Sequence, residues 1–250
     1  MLTEERHRII LELLETKKIV RIQELVEVLS SSESTIRRDL SQLERKKKLK
    51  RVHGGASLLN QKKEELSIDE KLTKNLEEKD RIAKYAATLI KDGDCIYLDA
   101  GTTINQMIPY ISAHDLTVVT NGLTHLEQLL AKNINTYLVG GCIKQKTRAL
   151  IGHGAIDSLN KYRFDKIFLG VNGIHVDYGY TTPDPEEAAV KATAINLGQN
   201  VFVLADHTKF HEVTFSKVAD LEEATIITNE TDPETIEEFR KKTNIEVVTE

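Results

Sequence analysis

The stretch SSSESTIRRDLSQLERKKKLKRVHGG, residues 30–55, gives the chain its frame. Within it Ile36, Leu40 and Leu43 recur at steps of four and three, the spacing that stacks side chains on one face of an α-helix. Ser34, Arg38, Ser41 and Arg45 then turn the other way, with Thr35 and Arg37 on the flanks. Hydroxyl and guanidinium groups on an exposed face suit phosphate oxygens and base edges. A basic run follows at once, Arg45-Lys46-Lys47-Lys48-Leu49-Lys50-Arg51. Together they predict a DNA recognition helix followed by a short basic hairpin, or wing. A charge run is more often a solvated helix tail. The pattern upstream sets this one apart.

Thr3 stands where a first helix would be capped, and Ile9, Ile10, Leu13 and Leu14 give that helix an apolar face. The β-branched run Ile19-Val20-Arg21-Ile22 predicts a small strand. A short helix over residues 23–29 turns Leu25, Val26 and Leu29 inward, and Ser30-Ser31-Ser32 forms the turn into the recognition helix. Helix, strand, helix, turn, helix and basic strand make a winged helix-turn-helix. Its core is small, which predicts marginal stability for this part alone.

The formal net charge of -5 hides a division. Residues 1–57 carry thirteen Lys and Arg against nine Asp and Glu, and the remainder twenty-one against thirty. A basic head on an acidic body predicts that the head alone faces a polyanion. Cys95 and Cys142 lie beside strand-like residues and outside any CxxC pattern, which predicts two buried thiols in a reducing cytoplasm. Glu4, Glu5 and Arg6 interrupt the first apolar residues, against a signal peptide. No apolar run approaches the length of a membrane span. A cytoplasmic protein with no membrane partner is expected.

The residues Ser34-Thr35-Ile36-Arg37-Arg38-Asp39-Leu40, Leu43-Glu44 and Leu49-Lys50-Arg51-Val52-His53-Gly54-Gly55-Ala56 resemble the N-terminal signature of the DeoR family of bacterial transcriptional regulators. Two positions depart from the family's usual pattern. Ser32 stands where an apolar residue is common, and Lys46-Lys47 where the turn into the wing often has glycine. The candidate DNA contacts are Ser34, Thr35, Arg37, Arg38, Ser41, Arg45, Lys48, Lys50, Arg51 and His53, with Ser34, Thr35 and Arg38 favoured as base readers.

The chain divides into a winged helix-turn-helix over residues 1–57, a charged connector over 58–80 and an α/β domain over 81–250. In the connector Ser67 can cap a helix, and Leu66, Ile68, Leu72 and Leu76 can dock it; a plain linker helix fits as well. Beyond Arg81, strand-like runs at residues 95–98, 116–120, 136–139, 166–169, 201–205 and 225–228 are separated by helical stretches at 103–108, 123–131, 154–159 and 186–197. The alternation predicts a mainly parallel sheet with helices on both faces.

In such sheets ligands gather beyond the carboxyl ends of the strands. Those ends read Asp99-Ala100-Gly101-Thr102-Thr103, Thr120-Asn121-Gly122, Gly140-Gly141, Gly170-Val171-Asn172-Gly173 and Asp206-His207-Thr208-Lys209. Glycines admit a ligand to backbone N–H groups, Thr and Asn add donors, and Gly101-Thr102-Thr103 entering a helix fits a phosphate cradle. Lys209 adds charge, while Asp99, Asn121 and Asp206 suit sugar hydroxyls. Each of these alone is more often a turn or a cap; their repetition is the signal. No Walker loop or dinucleotide fingerprint is present, and the spacing of His207 and His211 lacks the acidic partner of a metalloprotease motif. No metal and no cofactor is expected.

These strand ends, with Phe168-Leu169-Gly170-Val171-Asn172-Gly173-Ile174 and Leu204-Ala205-Asp206…Lys209-Phe210, resemble the DeoR-type C-terminal sensor domain. The resemblance implies a fold of the ribose-5-phosphate isomerase type and a phosphorylated sugar as inducer, sensed without turnover. Thr181-Thr182-Pro183-Asp184-Pro185-Glu186-Glu187-Ala188-Ala189-Val190-Lys191 is most similar to the fructose-operon repressors of the family, which implies fructose 1-phosphate or a close relative and adds Glu187 and Lys191 to the candidate ligand set. His211 departs from the glycine that many members have after Lys-Phe.

The expected function is therefore a repressor of a sugar-utilisation operon, released by its effector. It would bind double-stranded operator DNA as a homodimer or larger even oligomer, with half-sites about 34 Å apart. The alternative is a sugar-phosphate isomerase or deaminase with a DNA-binding head, with Asp99, Glu187, Lys191 and Asp206 as acids and bases.

Overall fold

Apolar residues at helical spacing make three amphipathic helices in the N-terminal part, and their stripes meet in one core. The computed structural model describes residues 2–17, 19–46, 48–52, 54–58 and 66–249. The elements are α1 (Thr3–Lys17), β1 (Ile19–Arg21), α2 (Ile22–Leu29), α3 (Glu33–Arg45), β2 (Leu49–Val52) and β3 (Gly55–Leu58). Ile10, Leu14, Leu25, Ile36, Leu40 and Leu49 close the core. β2 and β3 form the wing, and β1 joins its edge to give an antiparallel sheet of order β1-β3-β2. This is the winged helix-turn-helix order. Met1–Lys63 forms one compact unit and Glu64–Glu250 a second.

The second unit opens with α4 (Ile68–Leu72) and α5 (Leu76–Thr88). Then follow β4 (Cys95–Leu98), α6 (Thr102–Met107), β5 (Thr117–Thr120), α7 (Leu126–Ala131), β6 (Asn135–Leu138), β7 (Cys142–Lys144), β8 (Ala149–Ile151) and α8 (His153–Leu159). The remainder is β9 (Phe164–Gly170), β10 (Gly173–His175), β11 (Gly179–Thr182), α9 (Pro185–Ile195), β12 (Gly198–Leu204), β13 (Ser216–Ala219), β14 (Thr225–Thr228), α10 (Pro233–Arg240) and β15 (Ile245–Val247).

Seven strands form one sheet, ordered β15-β14-β12-β9-β4-β5-β6, and every pairing in it is parallel. Its strands are apolar on both sides because both faces are covered. Ile96, Leu98 and Phe168 face a core with Ile82 and Met107, while Tyr97, Ile167 and Leu169 face another with Ala155 and Val190. The chain runs outward from β4 through β5 to β6, then returns to lay β9 on the other side of β4. The strand order reverses there, and a crevice opens between the carboxyl ends of β4 and β9.

Two smaller antiparallel sheets lie beside it, the hairpin β7–β8 and the group β10-β11-β13. Neither was expected from the sequence, nor were α10 and β15. Cys142 is exposed, against the expectation of a buried thiol, and Cys95 is half-buried. Among the described residues no helix is long and apolar enough to cross a membrane, and no cluster is arranged to hold a metal ion.

Candidate functional site

Two surfaces carry the chemistry, one in each unit. In the first, α3 is positioned by its ends and by one buried charge. Ser32 caps it, its Oγ accepting from Thr35 N at 3.3 Å. The Ser32 departure is thus an N-cap. Asp39 is buried on the inner face, where Arg6 of α1 donates to both of its oxygens at 2.7 and 3.1 Å and His7 lies at 3.3 Å.

The outer face presents the expected residues. Ser34, Arg37, Arg38, Arg45, Lys48, Lys50 and Arg51 are exposed, and Thr35 and Ser41 half-buried. Several are already engaged. Arg37 donates to Glu33 at 2.6 and 2.9 Å. Ser41 Oγ donates to Arg37 O at 2.8 Å and accepts from Arg51 at 2.9 Å, while Arg51 N donates to Glu44 at 2.9 Å. The wing is thereby fastened to α3. Lys46 at the turn has φ −78, outside the left-handed region. Lys47 and His53, the latter an expected DNA contact, lie outside the described residues.

In the second unit the crevice at the strand reversal is a cleft. Gly101, Thr102 and Thr103 enter it from β4, Gly170 and Asn172 from β9, and Asp206 and Lys209 from β12. Glu187 and Lys191 reach it from α9, Thr147 from the turn between β7 and β8, and Lys71 and Lys79 from α4 and α5. Asp99 lies beneath, almost wholly buried. Its Oδ2 accepts from Gly170 N at 3.0 Å and pairs with the Lys191 ammonium; its Oδ1 is buried without a partner. A wider depression of about 670 Å3 lies at the amino ends of β12 and β14, over Asn200, Glu222 and Lys241. It is away from the strand reversal and gathers none of the expected site residues.

The electrostatics of the cleft favour an anion. Glu187 accepts from Thr147 Oγ1 at 2.6 Å and from Lys144 at 3.3 Å. Burial pushes its carboxyl up, but the Lys191 charge, the Thr147 hydroxyl and Lys144 outweigh this and hold it below the usual range. Asp206 Oδ1 accepts from Thr208 N at 3.0 Å, and its Oδ2 lies 3.9 Å from the Lys209 ammonium. Lys79 differs from the other lysines. It is 5 % exposed, its ammonium donates to the backbone carbonyl of Lys71, and no carboxylate pairs with it among the described residues. Burial pushes it down to about 8, against the attraction of Asp206. A buried cation without a counter-ion is stabilised by an incoming anion.

Five expected ligand residues do not line the cleft, Asp99 beneath it among them. Asn121 is taken by backbone, its Oδ1 accepting from Ala100 N at 2.8 Å and its Nδ2 donating to Leu150 O at 3.3 Å. Gly140 and Gly141 pack against α8, where Gly140 N donates to Ser158 Oγ at 3.0 Å. A Cβ on Gly141, at φ +122, would stand 2.5 Å from Ile151 O. One on Gly173 would stand 2.3 Å from Glu212 O, so that glycine serves the packing of β10. Lys71, Lys79 and Thr147 were missed.

Comparison with known proteins bears on both units. The family model of the DeoR-like helix-turn-helix domain matches residues 6–62, and that of the DeoR C terminal sensor domain matches residues 74–231. A Bacillus subtilis relative named "Uncharacterized HTH-type transcriptional regulator FruR" is 48% identical over 249 residues, 99% of each chain. The lactose phosphotransferase system repressor of Staphylococcus aureus is 36% identical over 98% of each chain. The transcriptional repressor GlcR of B. subtilis is 35% identical over 91% of this chain and 88% of its own. Among solved structures, ribose 5 phosphate isomerase A from Neisseria gonorrhoeae overlaps 53% of this chain and 52% of its own, at 14% identity and a TM-score of 0.39. That overlap is too partial to carry an argument about chemistry.

Proposed function

The chain belongs to the DeoR family of helix-turn-helix transcriptional regulators, and from that premise we propose that it represses a sugar-utilisation operon in the cytoplasm and leaves its operator when a phosphorylated sugar fills the cleft. The observation that carries the effector class is the set of lysines around a cleft built of strand-end hydroxyls and amides. Lys79 is its buried cation without a counter-ion. Thr102, Thr103, Asn172, Glu187, Asp206 and Lys209 engage the sugar and its phosphate, with Asp99 and Lys191 fixing the floor. Fructose 1-phosphate is the first candidate. The name of the FruR relative and the run over residues 181–191 support it.

On the DNA side, Ser34, Thr35 and Arg38 read base edges: Arg38 is exposed on the outer face of α3, and Ser34 and Thr35 stand at its start. Arg45, Lys48, Lys50 and Arg51 contact phosphate. A two-fold operator calls for a homodimer or larger even oligomer. The test is operator binding at one salt concentration, with and without fructose 1-phosphate and two other hexose phosphates. Release by one of them supports the reading; release by none removes it.

One observation favours a second reading. A buried lysine, Lys79, in a cleft that also holds Glu187 and Asp206 is also what acid–base catalysis uses. Incubation that leaves the sugar phosphates unchanged removes the enzyme.

A further inference from the structure

The cleft is too small as it stands for the ligand proposed for it. Its volume is about 80 Å3, whereas sites for small organic ligands begin at about 300 Å3. A wall must move before a phosphorylated sugar enters. The strand ends are fixed in a seven-stranded sheet, and α9 is fixed by Asp99–Lys191 and Thr147–Glu187. The wall formed by α4 is different.

This helix has five residues and behaves as a unit, because Ser67 and Glu70 close a reciprocal cap at its start. It is held to the turn between β7 and β8 by Ile68 N donating to Lys146 O at 2.9 Å and by an exposed ion pair from Arg148 to Asp69 at 3.2 Å, and its Ile68 side chain is buried. On the cleft side its Lys71 carbonyl accepts from the Lys79 ammonium. Asn75, between α4 and α5, sits at φ 52, in the left-handed region that asparagine adopts readily, where the chain turns from one helix into the next.

We propose that the phosphate of the effector takes Lys79 as its cation, withdraws the Lys79 ammonium from the Lys71 carbonyl, and so frees α4 to swing outward about Asn75. This rests on the cleft being the effector site. It makes ligand entry and unlatching one event. In chain order α4 is the first described element after the DNA-binding unit.

Linkage fixes the consequences. Because the effector favours the released arrangement, loosening α4 from the β7–β8 turn shifts the same equilibrium, weakening operator binding and strengthening effector binding. Asp69 is exposed and does not line the cleft, so Asp69→Lys loosens the helix without touching the ligand. In the full-length protein we expect that variant to bind operator about fivefold more weakly and fructose 1-phosphate about fivefold more tightly. Lys79→Gln should bind fructose 1-phosphate about tenfold more weakly or worse. Hydrogen exchange on the unaltered protein supplies a readout that needs no variant. The Ile68 amide should exchange faster once fructose 1-phosphate is bound. If the wild type responds to the sugar but Asp69→Lys matches it in both affinities, or Ile68 gains protection, the latch is wrong while the repressor reading stands. A wild type indifferent to every sugar phosphate tried overturns both.

Discussion

Several charged residues stand where helical spacing calls for an apolar one, and each holds a site together. Asp39 falls on the stripe of Ile36, Leu40 and Leu43. Lys79 continues the stripe of Ile82, Ala83, Ala86 and Ala87, and Glu187 and Lys191 share the buried face of α9 with Ala194 and Ile195. Asp39 fastens the recognition helix to α1, so Asp39→Asn should destabilise the N-terminal unit by about 3 kcal/mol, because it removes the buried carboxylate that Arg6 and His7 share. Chemical denaturation followed at that unit checks it, and a loss under about 1 kcal/mol would mean that the pair is only decoration on the surface. Lys79 gives a pH prediction. Lys71, Glu78, Asp206 and Lys209 face it, and its burial brings its titration from 10.5 to about 8. Below that value it is protonated and attracts the effector; above it the charge is lost. Effector affinity should hold near pH 7 and fall as pH rises through about 8. In Lys79→Arg the guanidinium stays charged and the fall should vanish. A flat wild-type profile between neutral and alkaline pH would exclude Lys79 from the anion site. Lys79's own effect on the free fold has the opposite sense: its depressed value weighs against folding while it is protonated, so that penalty fades as pH rises from about 8 toward 10.5.

At the scale of elements, the turn between α2 and α3 decides how the recognition helix is presented. Ser30 closes α2 in the left-handed region at φ 46, with Ser30 N and Ser31 N returning to Glu27 O and Val26 O. Serine is strained there and glycine is not, so Ser30→Gly should stabilise the unit by roughly 0.5–1 kcal/mol. Ser32→Ala should do the reverse, removing about 1 kcal/mol with the cap of α3. Thermal melts of the two variants should move in opposite directions; a shift of the same sign in both would deny the turn this role. The main elements were legible because each repeats one period. β-branched apolar runs mark the strands of the large sheet, and steps of three and four mark α1, α3 and α5. The side sheets were not legible. Cys142-Ile143-Lys144 and Gly179-Tyr180-Thr181-Thr182 are short, without alternation, and become strands through pairing, the first with β8 in a tight hairpin and the second with both β10 and the more distant β13. In the cleft, the strand-end residues announced themselves through glycine and threonine. Lys71 and Lys79 come from helices before the sheet, and their only signal was a lysine on an apolar stripe. His211 is the reverse case. Its φ of 59 is one that glycine adopts more freely, and its ring packs on Phe239 at 5.3 Å and meets Thr235 at 3.3 Å.

At the scale of the whole molecule, charge is segregated as the two units are. The thirteen Lys and Arg among residues 1–57 exceed their acidic neighbours, while the rest of the chain is acidic. A polyanion is therefore drawn to one end of the chain and repelled by the other. Such binding releases counterions, so its logarithm falls with the logarithm of salt at about 0.9 per phosphate neutralised. This separates the two classes of basic residue. Lys48→Ala and Lys50→Ala should each weaken binding to operator and random DNA alike and lower the slope by about one. Arg38 is exposed on the outer face of α3 and should read a base. Arg38→Ala should cost about 1–3 kcal/mol on operator, much less on random DNA, and relax the preference at one base pair per half-site. Titrations at several salt concentrations on both DNAs decide it. If Arg38→Ala lowers the slope and affects both DNAs equally, Arg38 belongs with the phosphate contacts, and base reading falls to Ser34 and Thr35 at the start of the helix.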